Sequence, residues 1–296
     1  MTSVASHRAW IPIHVPACPL CGSTELKTKS QHREKSLEKC RGCGVVFVTP
    51  QPSPDALCDH FQGGGLVPAS FDTHFEVNRQ PVLSEVLHSI QTIKNEGTIL
   101  DVGCATGFFL ENFANNSNWV ACGTELSLPA AQEARRRGLR VNVGDTRSAK
   151  FRDRSFDVIT VLDAFYYFPE PASELAELGR ILDDDGVLVM ELPWANARLW
   201  QRAAILSKVL NRARGPLIES SDHLFYYTPK SVSLLLEACG FRVRAIQPVR
   251  ANRQPGALRN LLWSSYSFVS RWLWRLSGGA IFLGPRFLVI ADKRPQ

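Results

Sequence analysis

The sequence predicts an α/β fold in which a doubly wound, mostly parallel sheet follows a small cysteine-bearing ribbon. Three observations carry this prediction. Apolar strands alternate with helical segments from residue 98 onward, a buried strand runs into a glycine turn between Asp101 and Gly107, and four cysteines stand in two matched pairs near the start. The chain has 296 residues, which suffices for one large domain or two unequal ones with a buried core.

Composition excludes several classes of protein. Hydrophobic residues make up 45% of the chain and charged residues 21%, with 20 glycines and 18 prolines. This composition excludes a disordered, a collagen-like and a low-complexity protein. The net charge of +6 permits anionic partners without requiring them. Residues 1–10 contain no apolar stretch of signal-peptide length, and the most apolar window, 261–290, is interrupted by arginines. We therefore expect a cytoplasmic protein without a spanning helix.

The cysteine pairs have the spacing of a zinc ribbon, C-x2-C-x18-C-x2-C. Glycines beside both pairs allow the four thiolates to converge on one tetrahedral ion. Because thiolates fill all four positions, the zinc would be structural; the alternative is a set of unrelated buried thiols. The predicted metal ligands are Cys18, Cys21, Cys40 and Cys43.

The elements follow in a regular order. Residues 45–48 are predicted to form a strand, 49–54 an extended linker, and 77–93 a helix with one apolar face. We place the ribbon at 1–54, a linker and bridging helix at 55–97, and the sheet domain at 98–296, with helical insertions around 195–215 and 256–278. The predicted strands of the sheet are 98–102, 119–125, 141–144, 156–162, 187–192 and 287–293; helices are predicted at 107–115, 130–138 and 172–182.

The first strand of this series ends in a ligand-binding motif. Asp101 is followed by a turn with Gly103 and Gly107, which let a ligand approach the backbone. Ligands of open parallel sheets bind at this edge. The spacing is not the G-x-G-x-x-G of dinucleotide sites, and a carboxylate at the turn repels a pyrophosphate and favours a cationic ligand.

Three stretches together resemble the class I S-adenosylmethionine-dependent methyltransferases, and among them the small-molecule subfamily. They are Leu100 to Gly107, Phe156 to Pro171, and Asp222 to Phe241 with its H-L-F-Y-Y-T-P run. The resemblance covers most of the chain from Cys18 to Phe241. It implies a Rossmann-like sheet whose last strand, 287–293, is antiparallel.

The resemblance also implies roles at the cofactor. The turn at Asp101, Gly103 and Ala105 would hold the methionine portion, with Ala105 replacing a usual glycine. Glu125 would accept the ribose hydroxyls, and Asp145 would lie at the adenine. The full implied cofactor set is Asp101, Gly103, Cys104, Ala105, Gly107, Glu125, Leu126, Asp145, Thr146, Leu162 and Asp163. The alternative is that each acid is only a helix cap or turn former.

The candidate catalytic residues are His223, Asp163 and Tyr166. A histidine titrates near neutral pH, which suits a general base for a hydroxyl or carbon acid. The alternative is that His223 only packs or caps in its loop. Tyr166 or Tyr167 would otherwise face the sulfonium through a cation–π contact.

Two basic amphipathic segments, 197–214 and 258–276, complete the prediction. Such helices lie on an anionic membrane, close over a lipid-linked or phosphorylated acceptor, or pack on their own domain. We therefore expect a cytoplasmic enzyme, peripheral to the membrane if these helices touch it.

Three functions follow from these motifs. The first is a methyltransferase that modifies an O or C atom of a small-molecule or glycan- or lipid-linked acceptor, with S-adenosylmethionine as methyl donor and a structural zinc. The second is an RNA base methyltransferase with a zinc ribbon, although the mixed charges of residues 30–40 do not favour nucleic acid as the partner. The third is a cofactor-binding protein without catalysis.

Overall fold

The computed structural model describes residues 12–32, 34–62, 73–194, 223–250, 252–253 and 256–294. The strands are β1 (Pro12–Ile13), β2 (Leu26–His32), β3 (Lys35–Cys40), β4 (Val46–Thr49), β5 (Gln51–Pro52), β6 (Gly97–Val102), β7 (Trp119–Glu125), β8 (Arg140–Val143), β9 (Phe156–Leu162), β10 (Leu182–Pro193), β11 (Phe225–Tyr226), β12 (Phe241–Val249) and β13 (Arg286–Lys293). The helices are α1 (Pro54–Gln62), α2 (Thr73–Gln91), α3 (Glu111–Ala114), α4 (Leu128–Arg136), α5 (Pro171–Ile181), α6 (Pro229–Ala238) and α7 (Ala257–Leu276), with a 3-10 turn at Phe165–Tyr167.

A seven-stranded sheet forms the centre of the fold, in the order β12-β13-β10-β9-β6-β7-β8. Strands β10, β9, β6, β7 and β8 are parallel to one another. Strand β13 is antiparallel to both β10 and β12, as the sequence predicts for the last strand. Because β7 and β9 flank β6 on opposite sides, the chain order reverses at β6, and the crevice at its carboxyl end is the expected ligand site.

Helices cover both faces of this sheet because its strands are apolar on both faces. On one face, Ile99 of β6 packs with α2, α3 and α4. On the other, the adjacent Leu100 packs in a second core with α5 and α6. Neighbouring residues of one strand thus serve two cores, which confirms the doubly wound arrangement.

The four-stranded sheet, in the order β11-β4-β3-β2, joins the cysteine ribbon to the large sheet domain. Strand β11 follows residue 223 and pairs antiparallel with β4, where Phe225 lies opposite Phe47. The amide of Val48 also donates to the carbonyl oxygen of Leu224 at 2.9 Å. Ribbon residues Cys40 and Phe47 belong to the same buried core as Leu100.

Several predicted elements differ from the structure. Residues 51–52 are not a free linker, because β5 pairs with β1, and α1 begins at Pro54. The helix predicted over 107–115 is confined to Glu111–Ala114, since the left-handed turn at Gly107 delays its start. The segment 197–214 lies outside the described residues. The domain boundaries stay predictions.

Gly107 offers a test of how tightly the turn packs. It has a φ of 81°, and a Cβ there would lie 2.0 Å from Leu139 Cδ1. Gly138 has a similar φ of 84°, with nothing within 4 Å of an added Cβ. We expect Gly138→Ala to cost about 1 kcal/mol for left-handed backbone, and Gly107→Ala about 1 to 3 kcal/mol more for overpacking. Denaturant unfolding of both variants measures the difference; equal losses would contradict the packing argument.

Candidate active site

A cavity of about 710 Å³ opens at the carboxyl ends of the parallel strands. Its wall includes residues that follow four of these strands together with residues of α1 and of the 3-10 turn. From the strand ends come Gly103, Ala105, Glu125, Leu126, Asp145, Leu162 and Asp163; from α1 and the 3-10 turn come Leu57, Phe61, Tyr166 and Tyr167. Cavities of this volume accommodate small-molecule ligands.

The glycine turn after β6 is held by Glu125. The backbone amide of Ala105 donates to Glu125 Oε2 at 2.8 Å, and that of Ser127 donates to Oε1 at 2.8 Å. Ala105 has a φ of 51°, which lies in the left-handed region. This conformation is costly for alanine and would not be for glycine. A Cβ on Gly103 would lie 3.0 Å from the Cβ of Ala164, so the wall is close to the backbone there. Burial raises the pKa of Glu125, whereas the hydrogen bonds from the two amides lower it.

Asp101 lies behind the turn and is not among the residues that line the cavity. It is 3% exposed, and its Oδ1 accepts a hydrogen bond from Thr160 Oγ1 at 2.6 Å. Burial raises the pKa of Asp101 to about 7; the Thr160 hydroxyl opposes this rise, and the Glu125 charge adds to it. The carboxyl group is therefore a buried proton-binding group beside the turn.

Three other members of the predicted cofactor set also lie outside the cavity wall. The side chain of Cys104 packs where Gly123 leaves room for it, and Gly107 packs towards Leu139. Thr146 is buried and donates to Glu174 at 2.7 Å. These positions shape the wall from behind.

Asp163 lies in a buried ion cluster, which we name the Asp163 cluster: Asp163, Arg79, Glu191 and Arg286. Arg79 and Arg286 each contact both carboxylates, with Arg79 reaching Glu191 at 2.8 Å. The Tyr166 hydroxyl also donates to Asp163 Oδ1 at 2.8 Å. Burial lowers the pKa of Arg286. The negative charges of Asp163 and Glu191 raise it by more, so the net shift is upward. Among the described residues, two guanidinium groups and two carboxylates thus meet inside the protein.

His223 stacks on Tyr166, with ring centroids 3.7 Å apart, and meets Tyr167 edge-on at 5.4 Å. It is 6% exposed and does not itself line the cavity, whereas both tyrosines do. The structure thus brings His223, Asp163 and Tyr166 together around one aromatic ring. Their catalytic roles stay predictions.

The sequence reasoning missed the partners of Asp163. Glu191 is the single acid in the apolar strand predicted over 187–192, and this was a signal that an ion partner lies nearby. Arg286 stands directly before the last predicted strand. Arg79 gave no such signal, because it lies in a helix with other polar residues.

The four ribbon cysteines converge as predicted. All four Sγ atoms lie within 4.8 Å of one another, with Cys18 and Cys43 3.6 Å apart and Cys21 and Cys40 3.5 Å apart. A tetrahedral zinc with bonds of about 2.3 Å places its sulfurs about 3.8 Å apart. The cluster therefore fits one structural zinc ion, held by four thiolates.

Comparison with known proteins agrees with this geometry. Open, doubly wound sheets bind their ligands in the crevice at the switch point, where this chain has its glycine turn and Glu125. Residues 75–246 match the methyltransferase domain family, and the chain belongs to that family.

Solved structures share the fold. One chain of a Haloferax volcanii complex between the Trm112 methyltransferase activator and a methyltransferase is 17% identical, with a TM-score of 0.54 over 80% of this chain and 98% of that one. A SAM-dependent methyltransferase from Thermotoga maritima is 17% identical, with a TM-score of 0.51 over 80% of this chain and all of that one.

The curated relatives match a shorter stretch. "Probable tRNA methyltransferase 9B" of Bos taurus is 31% identical over 109 residues, which are 36% of this chain and 23% of that protein. The human protein of the same name is 30% identical over the same length. The matched stretch spans about a quarter of the length of these relatives.

Zinc removal tests the ribbon. We expect the purified protein to hold about one zinc per chain and a chelator to lower its melting temperature, since metal binding is coupled to folding. Cys40→Ser should lose the metal, whereas Cys239→Ser, outside the cluster, should keep it. Metal analysis and thermal melting measure both effects. A metal-free protein with unchanged melting would contradict the assignment.

Asp101 predicts a pH dependence of stability. Its pKa of about 7 exceeds the unfolded value of about 3.9, so the folded state binds the proton more tightly. Its contribution to stability is complete below about pH 4 and is lost as the pH rises through 7, by about 4 kcal/mol. The melting temperature of the ligand-free protein should therefore fall less between pH 5 and pH 8 in Asp101→Asn than in wild type. Asp185→Asn, an exposed control, should follow wild type; equal slopes in all three would contradict the prediction.

Proposed function

We propose that the chain transfers the methyl group of S-adenosylmethionine to an O or C atom of a small-molecule or glycan- or lipid-linked acceptor. The observation that carries the proposal is the cavity at the switch point of the sheet, where Glu125 fixes the turn from Gly103 to Ala105. The family membership supports the same reaction type.

The residues present fit the methyl donor. The backbone of the glycine turn and the carboxylates of Glu125 and Asp145 would hold it, because its sulfonium and ammonium groups are cationic and its ribose hydroxyls need acceptors. Each Glu125 oxygen accepts one backbone amide and has a lone pair left for a hydroxyl. The donor supplies an activated methyl group. The chain's own contribution is therefore mainly to bind and orient the reactants.

In the proposed reaction, a lone pair or carbanion pair of the acceptor forms a bond to the methyl carbon. The carbon–sulfur bond breaks with its electron pair on sulfur, which leaves S-adenosylhomocysteine, and the acceptor loses one proton to a base or water. Tyr166 and Asp163 both line the cavity, whereas His223 reaches it only through the Tyr166 ring on which it stacks. Because Asp163 already accepts from Tyr166, Arg79 and Arg286, we assign it the role of positioning Tyr166. His223 remains the base that we favour.

The wall opposite the turn favours a compact acceptor over a phosphodiester chain. It is apolar and aromatic, from Leu57, Phe61, Tyr167 and Phe168. Among the described lining residues, the acidic and basic side chains are five carboxylates and two guanidinium groups: Glu125, Asp145, Asp163, Glu170, Glu174, Arg79 and Arg147. An acidic wall repels phosphate groups.

A second candidate is RNA methylation. It is favoured by the curated relatives, which are named as tRNA methyltransferases. The five carboxylates that line the cavity argue against it, so we place it second.

Calorimetric titration tests the methyl donor. We expect saturable binding of S-adenosylmethionine and S-adenosylhomocysteine but not of NAD. Glu125→Gln should weaken both by about 10- to 100-fold, because it loses a charged hydrogen-bond acceptor. Glu237→Gln, an exposed acid on α6, is the matched control and should bind as wild type. Absence of binding to both adenosyl compounds, with a folded protein, would overturn the proposal.

Transfer of labelled methyl groups then separates the two acceptor classes. We expect incorporation into an organic-solvent extract or a glycan fraction and none into total RNA from the same cells. Incorporation into RNA alone would establish the second candidate in place of the first. Donor binding without transfer to any fraction would favour a protein that binds the cofactor without catalysis.

A further inference from the structure

Helix α7 packs polar side chains against the protein and exposes apolar ones, which is the reverse of an ordinary surface helix. Its serines at 267 and 270 are 5% and 1% exposed, where α7 packs on the protein. Large apolar side chains point the other way. They form what we name the α7 apolar face: Leu258, Leu261, Leu262, Phe268, Val269, Trp272 and Leu276, between 51% and 71% exposed.

These seven side chains form one stripe. At 100° per residue they occupy about 120° of the helix circumference, over the full 20 residues of α7. Ile281 and Leu283, just beyond the helix, are also exposed apolar residues. A contiguous exposed patch of this kind marks an interaction surface.

The charges of the α7 segment itself are of one sign. Between residues 250 and 280 the sequence contains five arginines and no aspartate or glutamate, and two of them, Arg250 and Arg271, pair with Glu85 of α2. Arg259 and Arg275 are exposed on α7 itself, on the two sides of the apolar face. Arg271 is paired with Glu85 of α2, which fixes the helix on the body of the protein.

We propose that α7 lies in the surface of an anionic phospholipid bilayer, with its apolar face inserted and its arginines at the headgroups. Amphipathic helices with arginines beside leucine, phenylalanine and tryptophan bind such interfaces, and anionic lipids add attraction for each arginine. Among the described helices, none is long and apolar enough to cross a bilayer. The proposed contact is therefore peripheral.

Charge argues against other occupants of the face. The amphipathic segment at 197–214 also carries only basic charges, five in number, so its packing on α7 would bring like charges together. A second copy of α7 paired face to face would oppose arginines to arginines. An anionic lipid surface accommodates all of these charges at once.

The start of α7 is tied to the cavity wall. The amide of Arg253 donates to the carbonyl oxygen of Asn78 at 2.8 Å, next to Arg79, which lines the cavity. The amide of Arg250 donates to Glu85 at 3.0 Å. If the methyl-transfer proposal holds, these contacts connect the membrane-binding helix with α2, which contributes Arg79 to the cavity wall.

Vesicle flotation of the full-length chain tests the bilayer contact and needs no methyl donor. We expect binding to vesicles of phosphatidylcholine with 30% phosphatidylglycerol, and at least tenfold less to phosphatidylcholine alone. The triple variant Leu261→Gln, Phe268→Gln, Trp272→Gln should lose binding at least tenfold. The double variant Arg259→Gln, Arg275→Gln should lose about fivefold for each arginine on anionic vesicles only.

A matched control separates this face from general hydrophobicity. Val120 and Leu234 are 54% and 42% exposed, away from α7, and their double change to glutamine should leave vesicle binding unchanged. All variants should melt as wild type, because every altered side chain is exposed. Absence of binding, binding that ignores lipid charge, or equal binding by the triple variant would overturn the proposal. So would a dimer in light scattering that the triple variant converts to a monomer without any vesicle binding.

Discussion

The Asp163 cluster fixes the position of one wall of the cavity. Its members come from α2, the end of β9, β10 and the start of β13, and all are buried or nearly so. Removing one partner from such a cluster leaves an uncompensated buried charge, which costs about 3 to 5 kcal/mol. The four elements therefore cannot shift independently. Tyr166, which donates to Asp163, and the His223 ring stacked on it take their places from this balance.

The opposite wall depends on a second carboxylate. Glu125 uses both oxygens to hold backbone amides, and in this way it keeps Ala105 in a left-handed conformation that alanine adopts reluctantly. Asp101 lies behind the same turn with a pKa near 7. Two buried acids thus flank the turn, and a cation bound there would relieve the electrostatic cost of ionising them. The proposed methyl donor carries such charges.

The ribbon is joined to the rest of the fold by backbone pairing. Strand β11 begins two residues after His223 and closes the edge of the ribbon sheet through β4. Helix α1, which begins after the ribbon, contributes Leu57 and Phe61 to the cavity. The ribbon with its four cysteines therefore supports the loop that carries His223. The ribbon is far from the cavity residues along the chain, so the sequence alone does not show this connection.

Local patterns in the sequence determined the fold class, the convergence of the four cysteines and part of the cavity wall. Strand spacing, paired cysteines and a glycine turn after an acid each depend on neighbours within a few residues, so Gly103, Glu125, Asp145 and the four cysteines could be identified from the sequence. The tertiary structure alone decided which charges meet. Arg79, Glu191 and Arg286 are far apart in the chain, and only the packing of α2 and β13 beside β10 brings them to Asp163. In the same way, the periodicity of α7 revealed an apolar stripe, but only its packing on the sheet domain showed that the stripe faces outward.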